Sequence, residues 1–129
     1  DKVRLTARHV AFHDGSDYAI KVLEAAKKQG KYWQTLEALY AAQSSWVVDN
    51  VVQPAALWRA VEHLGLNAEQ LKTDFYDPEV EQRLDQDIRD AKRIRVAETP
   101  TFFVNARPIP RIGSASLQMA VRERIREQY

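Results

Sequence analysis

Apolar and polar residues alternate along the opening stretch. Val3, Leu5, Ala7, His9 and Ala11 fall on one side of an extended chain, with Arg4, Thr6, Arg8 and Val10 on the other. A period of two over that length predicts a half-buried strand across residues 3–12. Asp14-Gly15-Ser16 interrupts it, and Ser16 or Asp17 is placed to cap a helix. The spacing then turns helical: Tyr18, Val22, Leu23 and Ala26 share a face up to Gln29-Gly30, a left-handed terminator. Trp33, Leu36 and Tyr40, with Tyr32 and Leu39 beside them, mark a second amphipathic helix ending near Gln43-Ser44-Ser45. Aromatics at this spacing are expected in the core rather than along a peptide groove. Trp46 to Val52 is rich in β-branched residues, but its helical neighbours favour a short helix or loop. Pro54 suits a first helical position, and Leu57, Val61 and Leu64 form a stripe closed by Gly65.

Asn67 with Gln70 has the spacing of a capping box, and Leu66 with Leu71 that of a hydrophobic staple, so a helix starts at 67. Asp77-Pro78 opens the next, with Val80, Leu84, Ile88 and Ala91 on one face. Its charges run acidic early and basic late, as the helix dipole prefers. After residue 100 the period returns to two. Strands are expected near 101–105 and 107–112 around a tight turn at Asn105-Ala106. Pro108 and Pro110 lack N–H groups on one side of the second strand, which makes it an edge strand. A last helix begins at Ser114–Ser116 and carries Leu117, Val121 and Ile125. The order is strand, four or five helices, β-hairpin, helix.

The 129 residues predict one domain, long enough to bury a core without disulfide or metal. Nineteen Lys and Arg against 18 Asp and Glu leave a net charge of +1, which argues against nucleic acid or an anionic membrane as the main partner. No apolar run has the length of a membrane span. The absence of cysteine removes thiolate chemistry from the chain itself but does not identify a compartment. His9, His13 and His63 do not converge at metal-binding spacing, so neither metal nor cofactor is expected. Asp85, Asp87 and Asp90 are too spread around their helix to form a catalytic carboxylate pair, and Arg122–Glu127 reads as a solvated helix face. With neither initiator Met nor signal peptide, Asp1 reads as an internal start.

Three strings carry a family resemblance. Glu98-Thr99-Pro100-Thr101-Phe102-Phe103-Val104-Asn105 resembles the G-T-P-T-F-F-V-N-G segment of DsbA-like thiol-disulfide oxidoreductases, which have a thioredoxin fold with a helical insertion. Val3 to Phe12 is similar to the strand after that family's first helix, and Lys31 to Tyr40 to the start of its insertion. The element order agrees over essentially the whole chain. The resemblance implies an α/β, thioredoxin-like (DsbA-type) domain spanning 1–129, with the insertion at about 16–95. It also implies that the family's first strand and its Cys-x-x-Cys would lie upstream of Asp1. The chain is therefore expected to be a truncated piece of a longer redox protein. Its sheet would lack a central strand, to be supplied by upstream residues, by a second chain in a strand-exchanged dimer, or by relocation of the first strand. Glu98 and Ala106 depart from the family's glycines, and Ala106 leaves a different turn type open.

By the same resemblance Thr99 and Pro100 are the candidate substrate-binding residues, with a cis bond expected between them and an extended peptide held by the backbone of Thr99. His9 is a candidate modulator of a thiolate or a proton transfer, although a partly buried histidine bonded to backbone is the plainer reading. The implied function is disulfide exchange with extended protein or peptide substrates and a redox partner protein, outside the cytoplasm (periplasmic or secreted), with the redox cysteines absent from this chain. Two alternatives stay open: a cysteine-free peptide-binding module, and a glutathione-dependent isomerase or transferase of DsbA-like type.

Overall fold

Helix α1 (Ser16–Lys28) buries Ile20, Val22, Leu23, Ala25 and Ala26, the face its spacing predicts, in a computed structural model that describes residues 2–110 and 113–129. Neither Ser16 nor Asp17 caps it. The N-cap is Gly15 at φ 79°, with no side-chain bond. The turn there is set by a close approach: a Cβ on Gly15 would lie 2.9 Å from the Val52 Cβ, and the Val52 N–H donates to the Asp14 carbonyl at 3.2 Å. Only glycine meets both conditions at low cost.

Helix α2 (Tyr32–Ala41) is rotated from the expected stripe. It buries Thr35 and Leu39 and packs Tyr32 and Leu36 on the core, while Trp33 and Tyr40 are 47% and 67% exposed. The core assignment of the three aromatics therefore holds for Tyr32 and not for the other two. Thr35 goes inward because its hydroxyl donates to the Lys31 carbonyl at 2.7 Å, leaving no orphaned polar group.

The segment expected as a short helix or loop divides. A single turn, α3 (Gln43–Trp46), leads into a hairpin of β1 (Val47–Val48) and β2 (Val51–Val52), with Asp49 and Asn50 at φ 49° and 63°. Positive φ at both central residues is what a type I′ turn requires, and Asp and Asn accept it more readily than most side chains. Helix α4 (Pro54–Val61) follows, with a 3₁₀ turn over Glu62–Leu64 and Gly65 at φ 71°. Asn67 caps α5 (Ala68–Phe75) by accepting the Gln70 N–H at 2.9 Å. The reciprocal half of the box is replaced. The Asn67 N–H donates to Gln29 Oε1 at 2.8 Å, and Gln29 Nε2 donates to the Asn67 carbonyl at 3.1 Å. This couples the end of α1 to the start of α5. Helix α6 (Pro78–Arg93) starts where Asp77 accepts the Glu79 N–H at 2.8 Å; the same carboxylate takes Lys28 Nζ at 2.6 Å.

The chain falls into two units, His9–Ala91 and Asp1–Arg8 with Lys92–Tyr129. The first is helical around Val22, Leu57, Leu39, Trp46, Leu71 and Phe75. In the second, residues 2–8 form no strand, and the strand expected over 3–12 is corrected accordingly; Val3 and Leu5 are 58% and 69% exposed. The physical reason is the absence of a ladder partner. Among the described residues both sheets are two-stranded, each pairing sequence neighbours, and alternation alone cannot satisfy a strand's backbone. The hairpin of β3 (Phe103–Val104) and β4 (Arg107–Pro108) forms as expected, though shorter; residues 111 and 112 of the expected second strand lie outside the described residues. Its turn is also I′-like, with Asn105 at φ 47° and Ala106 at φ 63°, so Ala106 occupies the left-handed position rather than forcing another turn type. Helix α7 (Ser114–Gln128) closes the chain with Leu117, Val121 and Ile125 half-buried.

Two substitutions should move stability in opposite directions, read by denaturant midpoint. Gly15→Ala should lower it by about 1–2 kcal/mol or more, from the left-handed φ together with the Val52 overlap. Ala106→Gly should raise it by about 0.5–1 kcal/mol, by relieving a left-handed alanine in a turn that favours glycine.

Candidate functional site

Thr99 and Pro100 lie in the irregular segment that follows α6, and both are exposed. The Thr99–Pro100 peptide bond is cis. Thr101 Oγ1 donates to the Glu98 carbonyl, bracketing the bend from either side. The backbone N–H and C=O of Thr99 make no hydrogen bond among the described residues. The bend therefore presents one free donor and one free acceptor immediately before a strand, the arrangement that a bound extended chain needs.

A groove of about 500 Å³ lies between β4 and α7, lined by Val104, Ile109, Pro110, Met119 and Arg107 among others. It does not include Thr99 or Pro100. Its second arginine, Arg124, is turned to Glu127 on the same helix.

His9 belongs to the helical unit, and its surroundings are ionisable. Its Nε2 lies 2.9 Å from the Tyr32 hydroxyl on α2 and 3.6 Å from Glu24 Oε1 on α1, and its backbone N–H donates to Asp87 Oδ2 on α6 at 3.1 Å. Three helices thus meet at one residue. The imidazole and the Glu24 carboxylate are 13% and 11% exposed, and Asp87 is 4% exposed. Burial lowers the His9 pKa below its ordinary value against the opposing pull of Glu24 and Asp87, and burial pushes Tyr32 up to about 12. The expected backbone-bonded histidine is corrected in one respect: the ring is bonded to side chains, and the backbone of His9 is the part held by Asp87.

Tyr32, Glu24 and Asp87 were not singled out as partners of His9 by the sequence. The available signal was polarity on an apolar stripe. Asp87 sits three residues after Leu84 and is the buried position, while the expected Ile88 is only half-buried. Glu24 lies between buried Leu23 and Ala25. Among the described residues no group of three or more His, Asp or Glu is arranged to hold a metal. No described helix is long and apolar enough to cross a membrane.

The His9 cluster gives stability a definite pH dependence. A folded pKa below 6.5 means that the unfolded chain takes up a proton that the native state refuses, so stability should fall as pH drops below 6.5 until the folded pKa is passed. Tyr32 has the mirror effect, with stability lost as pH rises between 10 and about 12. His9→Gln should flatten the acid limb, and Tyr32→Phe the alkaline one at a loss of about 1 kcal/mol at neutral pH. Unfolding curves from pH 4.5 to 11.5 check both signs.

Comparison with known proteins agrees with this architecture. The thioredoxin family model matches residues 1–123. A solved thioredoxin-like oxidoreductase from Silicibacter pomeroyi DSS-3 superimposes with a TM-score of 0.74 at 30% identity, over 91% of this chain and 64% of that one. Among curated proteins the chain is similar to part of the Na(+)/H(+) antiporter NhaA of Herminiimonas arsenicoxydans, 31% identical over 107 residues. It is likewise similar to NhaA 3 of Salinispora tropica, 34% identical over 108 residues. These matches cover 83% and 81% of this chain but 16% of each antiporter, so the chain spans about one-sixth of the length of these relatives. A thioredoxin-like fold of DsbA type, mostly helical with a few short strands, is what the elements and the superposition share. The chain belongs to the thioredoxin family.

Proposed function

We propose that this chain is the substrate-docking portion of a DsbA-like thiol-disulfide oxidoreductase. The observation that carries the reading is the exposed bend at Thr99-Pro100, whose Thr99 N–H and C=O are unbonded among the described residues. An extended segment of a protein substrate would pair there, Thr99 donating to a substrate carbonyl and accepting a substrate N–H. That pairing fixes the substrate's disulfide relative to a nucleophile without itself making or breaking a covalent bond.

The exchange step requires a thiolate that attacks one sulfur of a disulfide and expels the other as a thiolate, leaving the number of S–S bonds unchanged. With no cysteine in its 129 residues, this chain cannot supply that group. The thiols belong to the intact parent or to a redox partner protein. His9, buried in its own hydrogen-bonded cluster, serves as an anchor of the helical unit in this reading rather than as a proton carrier. The working compartment that goes with the reading is extracytoplasmic, and a second copy engaged by strand exchange is among the partners.

The absence of cysteine favours a second reading, a binding module that holds extended peptides with no redox step. One experiment separates the two and tests both. Titrating the ¹⁵N-labelled chain with an extended, disulfide-containing peptide should shift the Thr99 and Thr101 amides, and Thr99→Pro, which removes the donor, should weaken binding by about tenfold. Shifts elsewhere and not at Thr99 would overturn docking at this bend. An insulin-reduction assay on the intact parent then decides: turnover supports the oxidoreductase, and peptide binding without turnover supports the module.

A further inference from the structure

The net charge of +1 conceals an uneven distribution. Residues 1–8 and 92–129 carry eleven Lys and Arg against four Asp and Glu, while residues 9–91 carry eight against fourteen. One unit is therefore strongly cationic, at +7, and the other strongly anionic, at −6. The helical unit ties its cations into internal pairs. Lys28 Nζ lies 2.6 Å from Asp77, 3.7 Å from Glu79 and 3.8 Å from Asp74, and Lys27 Nζ lies 3.8 Å from Glu24. The cationic unit has too few carboxylates for that. Its Arg124 is held by Glu127 on the same helix, but the side chains of Lys92, Arg95 and Arg107 have no ion-pair partner among the described residues, and all three are exposed.

The bend at Thr99-Pro100 lies inside this cationic unit. From Lys92 to Pro110 the chain carries Lys92, Arg93, Arg95 and Arg107 against Glu98 alone. The four residues from Arg95 to Thr99 span at most about 14 Å even when fully extended. Arg107 lies opposite Val104 in the hairpin that the bend leads into. Charges at such distances are felt in dilute salt, where the Debye length is about 30 Å, and are screened at high salt, where it is a few ångström. Hydrogen bonds from the Thr99 backbone are blind to the side chains of the segment they hold. The surrounding charge is not.

We propose that the bend docks extended segments flanked by Asp and Glu, selected by the cationic field of Lys92, Arg95 and Arg107. The inference rests on docking at Thr99-Pro100 and names the class of segment taken there. The three cations are exposed, so they act through the field and not through fixed ion pairs. Such a field speeds encounter with an acidic segment and weakens as ionic strength rises. It also repels a basic segment, so attraction and repulsion both contribute to the choice. A polyanion without a peptide backbone would feel the field but could not use the Thr99 donor and acceptor together. An acidic peptide uses both.

Disulfide-containing peptides of one sequence, flanked by three Glu, three Ser or three Lys, separate this inference from the reading it rests on. Titrated into the ¹⁵N-labelled chain at 20 mM salt, they should shift the Thr99 and Thr101 amides, with the Glu-flanked peptide at least about tenfold tighter than the Lys-flanked one. At 500 mM salt the gap should close to about threefold or less. Arg95→Gln combined with Arg107→Gln should narrow the low-salt gap by about threefold. An equal loss of affinity for all three peptides would mark these arginines as merely structural and overturn their part in selection. Equal affinities for the Glu- and Lys-flanked peptides, with shifts at Thr99, would overturn the acidic preference and leave the docking bend standing. Shifts on α7 from the Glu-flanked peptide, with none at Thr99 from any peptide, would overturn both.

Discussion

A strand exists only as half of a ladder, and that constraint decides how this chain distributes its extended residues. Every backbone N–H and C=O taken from water needs a partner. Helices find partners within themselves, so α1, α2 and α4–α7 form wherever spacing gives an apolar face. Extended residues must find a neighbour, and among the described residues the ladder neighbours come through two-residue turns. Val47–Val48 reaches Val51–Val52 through Asp49-Asn50, and Phe103–Val104 reaches Arg107–Pro108 through Asn105-Ala106. Residues 3–8 alternate as well as either hairpin does, yet among the described residues they join no ladder and form no strand. Propensity supplies a strand's willingness; topology supplies its partner.

The helical unit obeys the same accounting for side chains. Its apolar faces are not purely apolar: Thr35, Asp74 and Asp87 are buried, and Glu24 nearly so. Each has a local answer. Thr35 bonds the preceding turn, Asp74 accepts from Gln70 and lies 3.8 Å from Lys28, and Asp87 accepts the His9 N–H. No buried side-chain polar atom among the described residues is without a partner. Groups of this kind give a helical bundle its register, since an apolar stripe tolerates sliding and a bonded carboxylate does not. His9 exploits this most fully, with side-chain partners from α1, α2 and α6 around one small residue.

What the sequence made legible follows from how local each signal is. The α5 cap and the start of α6 are settled within four residues, and both form where Asn67 and Asp77-Pro78 place them. The 105–106 turn is equally local, and its left-handed alanine is tolerated because the flanking ladder fixes the geometry. The β1–β2 hairpin was legible in principle, as two Val-Val pairs around Asp-Asn, but its helical neighbours outweighed that short signal. The phase of α2 was not legible, because it depends on Thr35 having a backbone acceptor one turn earlier. The His9 cluster was hidden for a similar reason: it joins residues 9, 24, 32 and 87, and no window along the chain contains more than a part of it.

The chemistry divides in the same way as the fold. A chain without cysteine has no nucleophile for disulfide exchange, however closely its outline follows an oxidoreductase. What it retains is geometry. An exposed bend whose Thr99 N–H and C=O are unbonded among the described residues stands before a hairpin whose far edge carries two prolines. Such a surface selects by backbone shape and is indifferent to most side chains, because its hydrogen bonds go to main-chain groups that every extended peptide carries. In the docking reading proposed above, broad substrate acceptance would reside in these residues. In that reading, reactivity belongs to a group separate from the surface that holds an extended chain.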